Sequence, residues 1–236
     1  MLKIFLFLRI LIAKILYKLR YKLSKNINEE LLLNFLTRIK PLPTNHKLIR
    51  LGTNGDGGYL IPDDLAGISS CFTAGVGGNI DFEFELANKG IKCFMADYSV
   101  EKPPLHHNNF FFNKTFIGKE NYENYTKFED WFKKNSDSKD HILKIDIEGD
   151  EYNLLSSITE ENLLKMRIII FEIHNFSNIL NQLGFVLIKL IFDSLQKNHI
   201  IVHVNANNIS PPIKFSKKLV LHDQLEITLL RKDRQI

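Results

Sequence analysis

The chain has few cysteines, and both of them lie in apolar segments. Cys71 and Cys93 are the only two among 236 residues, and each falls in a predicted buried strand. Two packed thiols form no disulfide framework, which fits a reducing compartment such as the cytoplasm. With 44% apolar and 11% aromatic residues the chain can bury a full core. We expect one folded domain, residues 27–236, preceded by a separate N-terminal segment, residues 1–26.

Acidic residues are missing from the start of the chain, and the net positive charge of the protein lies there. Residues 1–28 carry seven basic residues and no acidic one, so residues 29–236 hold 24 basic and 27 acidic residues, a net charge of −3. The net charge of +4 for the whole chain therefore comes from the N-terminal segment. A nucleic-acid-binding body needs a basic stripe of its own. We expect no nucleic-acid partner.

The N-terminal segment also lacks the long uncharged run of a membrane-spanning helix. Arg9 and Lys14 interrupt it, whereas crossing a bilayer takes about 20 mostly apolar residues. No small-residue cleavage site of a signal peptide follows. On a helical wheel, lysines gather on one side and aliphatic side chains cover much of the rest. Two interpretations stay open: a basic amphipathic helix on the inner face of a membrane, or a helix packed on the protein's own body or on a second subunit.

The stretch from Ser69 to Asp97 has the pattern of a strand, a glycine turn, a helix and a second strand. Its turn is GVGGN, residues 75–79, and a helix is predicted from about Asp81. Glycine lets the backbone approach a ligand without a Cβ. Asp97 ends the second strand 22 residues after Gly75, close to the spacing of about 20 at which an acid binds ribose hydroxyls. The pattern predicts a nucleoside-binding crossover; an ordinary tight turn is the alternative.

Two further loops flank this crossover. The glycine-rich loop of residues 52–58 lies between two short apolar runs and favours a hairpin. Such a loop also folds over a neighbouring ligand, which makes Asp56 and Tyr59 candidate lining residues. A third strand is predicted from Lys114 to Ile117, and an adenine ring would lie in the loop that follows, near Ile117.

Polar pairs end three later strands. They are Asp146 with Glu148, Glu172 with His174, and His203 with Asn205. The carboxyl ends of parallel strands meet at the ligand-binding edge of a sheet, so we expect these side chains to converge. Each pair alone also has a structural explanation, since a carboxylate at a strand end often caps the next helix.

The segments DGGY, GVGGNIDFE, LKIDIEGDEY and FEIH together resemble the FkbM branch of S-adenosylmethionine (SAM)-dependent methyltransferases, over about residues 48–230. The resemblance implies an α/β, Rossmann-like class I methyltransferase fold, a seven-stranded, mostly parallel sheet with helices on both faces, here with an N-terminal helical extension. The last strand would be antiparallel, from Glu226 to Leu230. SAM would be the cofactor. By this resemblance Gly75, Gly77 and Asn79 surround its methionine part, Glu83 shapes the turn, Asp97 holds the ribose and Asp146 lies beside the methyl group.

Methyl transfer to a hydroxyl requires a group that takes up the hydroxyl proton. We predict His174 as the base, positioned by Glu172. The alternative is a divalent cation, Mg²⁺ or Mn²⁺, held by carboxylates and imidazoles. Its predicted ligands are Asp146, Glu148, Glu172 and His203.

The predicted function is an O-methyltransferase that acts on a hydroxyl of a surface polysaccharide or a nucleotide-linked sugar. This acceptor class rests on family analogy and on the amide-rich segment from Asn205 to Asn208, which suits hydroxyl recognition. Two alternatives remain. One is a Rossmann-type oxidoreductase that uses NAD, and the other is a non-catalytic, membrane-attached protein that binds sugar or serves as a scaffold.

Overall fold

The computed structural model describes residues 26–207, 211–216 and 219–235. The predicted N-terminal helix of residues 1–26 lies outside these ranges, except for Asn26. The described α-helices are α1 (Glu29–Arg38), α2 (Asp81–Asn88), α3 (Phe128–Asn135), α4 (Glu151–Ser157), α5 (Glu160–Lys165) and α6 (Gln182–Asn198). Short 3₁₀ helices span Phe176–Leu180 and Lys232–Arg234.

Thirteen strands are present in the described ranges. They are β1 (Leu48–Leu51), β2 (Tyr59–Pro62), β3 (Ile68–Ala74), β4 (Lys92–Ala96), β5 (Phe110–Asn113), β6 (Phe116–Gly118), β7 (Tyr125–Lys127), β8 (Asp140–Ile145), β9 (Met166–Ile173), β10 (His199–Ala206), β11 (Ile213–Lys214), β12 (Val220–Leu221) and β13 (Leu225–Arg231). Seven of them form one sheet in the order β10-β13-β9-β8-β3-β4-β5. β13 is antiparallel to both of its neighbours, and the other pairs are parallel. This confirms the predicted sheet and its antiparallel last strand.

The third parallel strand lies earlier in the chain than predicted. It is β5, Phe110–Asn113, which pairs with β4, whereas the prediction placed it at Lys114–Ile117. The chain turns after Asn113, and Phe116–Gly118 pairs with β7 in a separate two-stranded sheet. The prediction for this strand was wrong because short apolar runs follow each other closely here, and their pattern alone does not show which run joins the sheet.

The sheet separates two apolar cores. Helices α1, α3, α4, α5 and α6 pack on one face, and α2 with the β1–β2 hairpin covers the other. Successive strand residues point to opposite faces, so on β3 Phe72 enters the first core and Cys71 the second. Both cysteines are free and buried, as predicted. Burial of each large apolar side chain contributes roughly 2 kcal/mol.

No helix within the described ranges is long and apolar enough to cross a membrane. Helix α6 nevertheless has an exposed apolar stripe, spaced as one helix face: Leu183, Val186, Leu187 and Leu190. The backbone N–H of Ile27 donates to Leu180 O at 2.9 Å, and Asn26 forms a bridge with Asn181. The described chain therefore begins beside the first turn of α6, next to this α6 stripe.

Candidate active site

Three adjoining cavities lie at the carboxyl edge of the parallel strands. The aromatic cavity, about 320 Å³, is lined by Gly75, Ala96, Asp97, Ser99, Phe116, Ile117, Tyr125, Asp146, Ile147, Glu148 and Asp150. The glycine cavity, about 300 Å³, is lined by Asp56, Gly57, Tyr59, Gly75, Val76, Gly77, Gly78, Asn79, Asp97, Ser99, Lys144, Asp146 and Glu148. The amide cavity, about 400 Å³, is lined by Arg50, Asn54, Gly55, Asp56, Asn205, Ala206, Asn207 and Glu226. The first two share Asp146 and the last two share Asp56, so the three form one row.

The glycine turn after β3 is fixed by its contact with the loop after β8. Gly75 has φ +86°, and a Cβ there would lie 1.6 Å from the carbonyl oxygen of Asp146. No other residue fits this position. A Cβ at Gly77 or Gly78 would meet no protein atom within 4 Å. The space over the turn is therefore open, as a bound cofactor requires.

Asp97 stabilises this turn directly. Its Oδ2 accepts hydrogen bonds from the backbone N–H groups of Val76 (2.9 Å) and Gly77 (3.0 Å), and its Oδ1 accepts from both N–H and Oγ of Ser99 (2.7 Å each). Burial alone would raise the pKa of the Asp97 carboxyl, but these hydrogen bonds outweigh burial and lower it. Asp97 lines the aromatic and glycine cavities. A ribose hydroxyl there would share oxygens that already accept two hydrogen bonds each.

Glu83, which the resemblance predicted to help shape the turn, is fully buried. Its Oε1 accepts hydrogen bonds from Thr73 Oγ1 (2.9 Å) and Lys144 Nζ (3.1 Å), and it lines none of the three cavities. Burial would lower the pKa of Lys144, but the Glu83 carboxylate outweighs this effect and raises it. Lys144, which the sequence reasoning missed, thus carries a fixed positive charge to the wall of the glycine cavity. A lysine inside an apolar strand is the signal that a buried partner exists.

The β1–β2 hairpin and β6 bring their predicted residues to the cavities. Asn79 Nδ2 donates to the backbone oxygen of Asp56 at 3.1 Å, which ties the hairpin loop to the turn. Tyr59 packs edge-on against Phe82, with ring centroids 5.4 Å apart. Ile117 lines the aromatic cavity, although it does so from β6 and not from a strand of the main sheet.

A cluster of carboxylates and one imidazole lies where the cavities meet. One ligating atom from each of Asp146, Glu148 and His174 lies within 4.8 Å of the others. Strand β8 ends at Ile145, so a loop presents the two carboxylates, and not the strand face that was predicted. Glu148 in this loop has a left-handed φ of +55°, an unusual conformation for a residue with a side chain. His174 Nε2 lies 3.4 Å from Glu148 Oε2 and 3.8 Å from Glu172 Oε1.

Glu151 positions His174. The sequence had predicted Glu172 in this role. His174 Nδ1 lies 2.9 Å from Glu151 Oε1, which also accepts from the backbone N–H groups of Gly149 (3.0 Å) and Ile147 (3.2 Å). The hydrogen bond to Glu151 is the largest cause that raises the pKa of His174 to about 9. The imidazole then keeps its proton at neutral pH, which argues against the predicted base role. The sequence alone does not indicate this contact, because an acid that opens a helix, as Glu151 opens α4, has a local explanation as a helix cap.

Glu172 connects this cluster to the amide cavity. Its Oε1 accepts a hydrogen bond from Asn207 Nδ2 at 3.0 Å, and its side chain is buried. Burial, with the nearby Asp146 carboxylate, raises the pKa of Glu172 to about 7. Burial also raises the pKa of Asp146.

His203 lies apart from the cluster, contrary to prediction. It faces Thr228 across the β10–β13 pair, and β13 separates β10 from β9, so His203 is two strands away from Glu172. It lines none of the three cavities. Burial, with Arg50 nearby, lowers its pKa. Asn205 and Asn207 do line the amide cavity, whereas Asn208 lies outside the described residues.

Three comparisons relate the chain to known proteins. No curated protein matches it. Among solved structures, the fibrillarin pre-rRNA processing protein of Methanococcus jannaschii aligns with 80% of this chain and 83% of its own, at 12% identity and a TM-score of 0.42. The family model of the methyltransferase FkbM domain matches residues 39–199. This match covers more than half of the chain and includes the glycine turn, Asp97, Asp146 and His174. The chain therefore belongs to the FkbM methyltransferase family.

Proposed function

We propose that this SAM-dependent methyltransferase transfers a methyl group to a hydroxyl of a carbohydrate, in a surface polysaccharide or a nucleotide-linked sugar. The observation that carries the proposal is the amide cavity, which adjoins the glycine cavity at Asp56. Its lining combines a guanidinium, several amides and the carboxylate of Glu226. Such donors and acceptors suit the hydroxyls of a sugar better than an apolar acceptor.

The residues of the other two cavities fit the cofactor. The open turn at Gly77 and Gly78 leaves room for its chain, and the aromatic cavity offers Phe116, Ile117 and Tyr125 to a flat ring. When bound, SAM supplies an electrophilic methyl group, whose bond to sulfur breaks with the electron pair staying on sulfur as the bond to the acceptor oxygen forms.

The chain has two tasks in this reaction. It holds the acceptor hydroxyl in line with the methyl group, and it takes up the hydroxyl proton. Glu172, a carboxylate at the junction of the cavities, is the group available for that proton. The proposal includes the predicted divalent cation, which would lower the pKa of the hydroxyl.

The proposal is tested with the full chain in two steps. Calorimetric titration with S-adenosylhomocysteine (SAH), the demethylated product, and with NAD⁺ is expected to show binding of SAH alone. Methyl incorporation from labelled SAM is then measured over a panel of nucleotide sugars and polysaccharides. Binding of NAD⁺ in place of SAH would favour the oxidoreductase alternative. Binding of SAH without methylation of any carbohydrate would refute the acceptor class.

We also propose that the protein contacts the inner face of a membrane as a peripheral protein. The basic segment of residues 1–26 supports this, since seven basic residues without an acid are attracted to anionic lipid. The α6 stripe adds exposed apolar side chains beside the point where this segment joins the body, with Leu183 83% exposed. Cosedimentation with vesicles of anionic and of neutral lipid tests the proposal, with Leu183→Ser/Leu190→Ser as the variant. A homo-oligomer in size-exclusion chromatography that the variant dissociates, without vesicle binding, would instead favour packing on a second subunit.

A further inference from the structure

His174 directs its second ring nitrogen, Nε2, into a group of carboxylates. Its side chain is only 9% exposed, and its Nδ1 is taken by Glu151. Nε2 lies 3.4 Å from a carboxylate oxygen of Glu148 and 3.8 Å from one of Glu172. Carboxylates gathered this closely repel one another, and a cation between them would offset that repulsion.

The spacing of the cluster suits a small divalent cation. Ligand atoms about 2.1 Å from such an ion lie about 3 to 4 Å apart. The atoms of Asp146, Glu148 and His174 are within 4.8 Å of one another, so a small inward movement brings them to this distance. Glu148 can supply the movement because its side chain is 85% exposed and packs against little else.

Glu151 supplies the support that a metal-binding histidine needs. In metal sites the second ring nitrogen of a ligating histidine usually donates to a carboxylate, which fixes the ring and its tautomer. The fully buried Glu151 does this here: its Oε1 holds Nδ1 of His174 and also the backbone N–H of Gly149. The same oxygen therefore fixes both His174 and the loop that carries Glu148.

We propose that Asp146, Glu148 and Nε2 of His174 bind one divalent cation of the Mn²⁺ or Mg²⁺ type, with Glu151 as a positioning residue; the cation displaces the proton from Nε2, because a ligating histidine must be neutral. Two carboxylates and one imidazole are hard to intermediate ligands, which suit these ions. Three protein ligands leave about three positions of an octahedron for water and for the acceptor. The role of these open positions rests on the proposed function, since they would receive hydroxyls of the carbohydrate; the binding of the cation does not.

The experiment is a Mn²⁺ titration of the full chain, followed by electron paramagnetic resonance, with Mg²⁺ as competitor. We expect one bound Mn²⁺ per chain, and at least tenfold weaker binding in Asp146→Asn and in Glu148→Gln. Glu151→Gln is expected to weaken binding by about 10- to 100-fold, the usual effect of removing such a support. The control is Asp150→Asn, in the same loop but outside the cluster: its carboxylate accepts a hydrogen bond from Asn153, and its loss should leave Mn²⁺ binding unchanged.

Two outcomes would overturn the site. Either the unmodified chain binds no Mn²⁺ at millimolar concentration, or Asp150→Asn weakens binding as much as Glu148→Gln does. If Glu151→Gln does not fold, Glu148→Gln still tests the site, because the exposed side chain of Glu148 can be replaced without disturbing the fold. SAH titration and the methylation assay, each in the presence of a chelator, separate the two proposals. SAH binding and carbohydrate methylation without Mn²⁺ binding would refute the cation site alone. Mn²⁺ binding without carbohydrate methylation would refute the acceptor class alone.

Discussion

The two edges of the sheet each gather buried and part-buried acidic side chains, but the amino edge neutralises them with arginines. Asp140 accepts hydrogen bonds from Arg167 Nε (2.8 Å) and from Arg231 Nη1 (2.6 Å). Asp64 accepts from Arg234 Nε and Nη2, both at 2.8 Å. Burial alone would raise the pKa of both carboxyls, but hydrogen bonds and charge from these arginines outweigh it and lower both values.

At the carboxyl edge burial is outweighed by hydrogen bonds that lower the pKa of Asp97 and Glu151, but Asp146 and Glu172 keep an unfavourable environment. Burial raises the pKa of Asp146, and it raises that of Glu172 to about 7. Lys144 is engaged by Glu83, which leaves the imidazole of His174 as the cation in contact with Glu148 and Glu172. The difference between the edges shows where the fold is stabilised and where charge is held available for a ligand, a division typical of functional sites.

The largest effect on stability is expected at the amino edge, from Arg167→Ala. Arg167 pairs with both Asp140 and Asp64, and its loss leaves the buried carboxylate of Asp64 and the part-buried carboxylate of Asp140 with less compensation. Removal of one partner of a buried pair costs about 3 to 5 kcal/mol in the free energy of unfolding, measured here by urea denaturation. The affinity of the folded protein for SAH should not change. The control Arg38→Ala removes an exposed pair with Asp193 and should cost about 1 kcal/mol or less. If both variants lost the same free energy of unfolding, the arginine pairs of the amino edge would not be a main source of stability.

At the carboxyl edge the matching disruption is Gly75→Ala. The new Cβ would overlap the carbonyl oxygen of Asp146, and φ at this position is +86°. Overlap and backbone strain together should lower the free energy of unfolding by about 3 kcal/mol, and SAH affinity should fall at least tenfold because the turn and the Asp146 loop move apart. Gly55→Ala is the control, since a Cβ there meets nothing within 4 Å. Unchanged SAH affinity in folded Gly75→Ala would contradict a cofactor site at this turn.

Most of the fold was predictable because the local sequence pattern indicates nearly every strand of the central sheet. The apolar runs around Cys71 and Ile142, the glycine turn and the late antiparallel strand all follow from patterns within about 30 residues. The exception is β5. Phe110–Asn113 and Phe116–Gly118 are both short apolar strands, and only the first joins the main sheet. That choice depends on long-range pairing with β4, which periodicity does not report.

The site was predictable only as far as strand ends determine it. The parallel-sheet rule brought Asp146, Glu148 and Glu172 to one edge, but it also placed His203 there, because the sequence does not show that β13 inserts between β9 and β10. Glu151 was missed because an acid at a helix start has a sufficient local explanation. Its contact with His174, 23 residues away, exists only in the folded chain.

Acid should destabilise the amino edge by a smaller amount than these substitutions do. Since the pKa values of Asp64 and Asp140 are lower in the folded than in the unfolded chain, the unfolded chain binds more protons as the pH falls below about 4. Their stabilisation is complete above the unfolded pKa and is lost as the pH drops through the folded values. Urea denaturation between pH 5 and pH 3 should show this loss, and Asp64→Asn should reduce its slope. The exposed neighbouring Asp63→Asn should not; if it reduced the slope equally, the buried arginine pairs would not be the cause.

The smallest expected effect is on the acceptor side of the carboxyl edge, in Asn205→Ala. Asn205 Nδ2 donates to Glu226 Oε2 at 3.1 Å, and both residues line the amide cavity. Loss of one hydrogen-bonding amide is worth about 1 kcal/mol, so KM for the carbohydrate should rise about fivefold while SAH affinity stays the same. The matched variant Asn153→Ala removes an amide that donates to Asp150 Oδ1, outside the amide cavity, and should leave KM unaltered. A change in SAH affinity with constant KM would assign the amide cavity to the cofactor, and the acceptor would then have to enter from the side of the aromatic cavity.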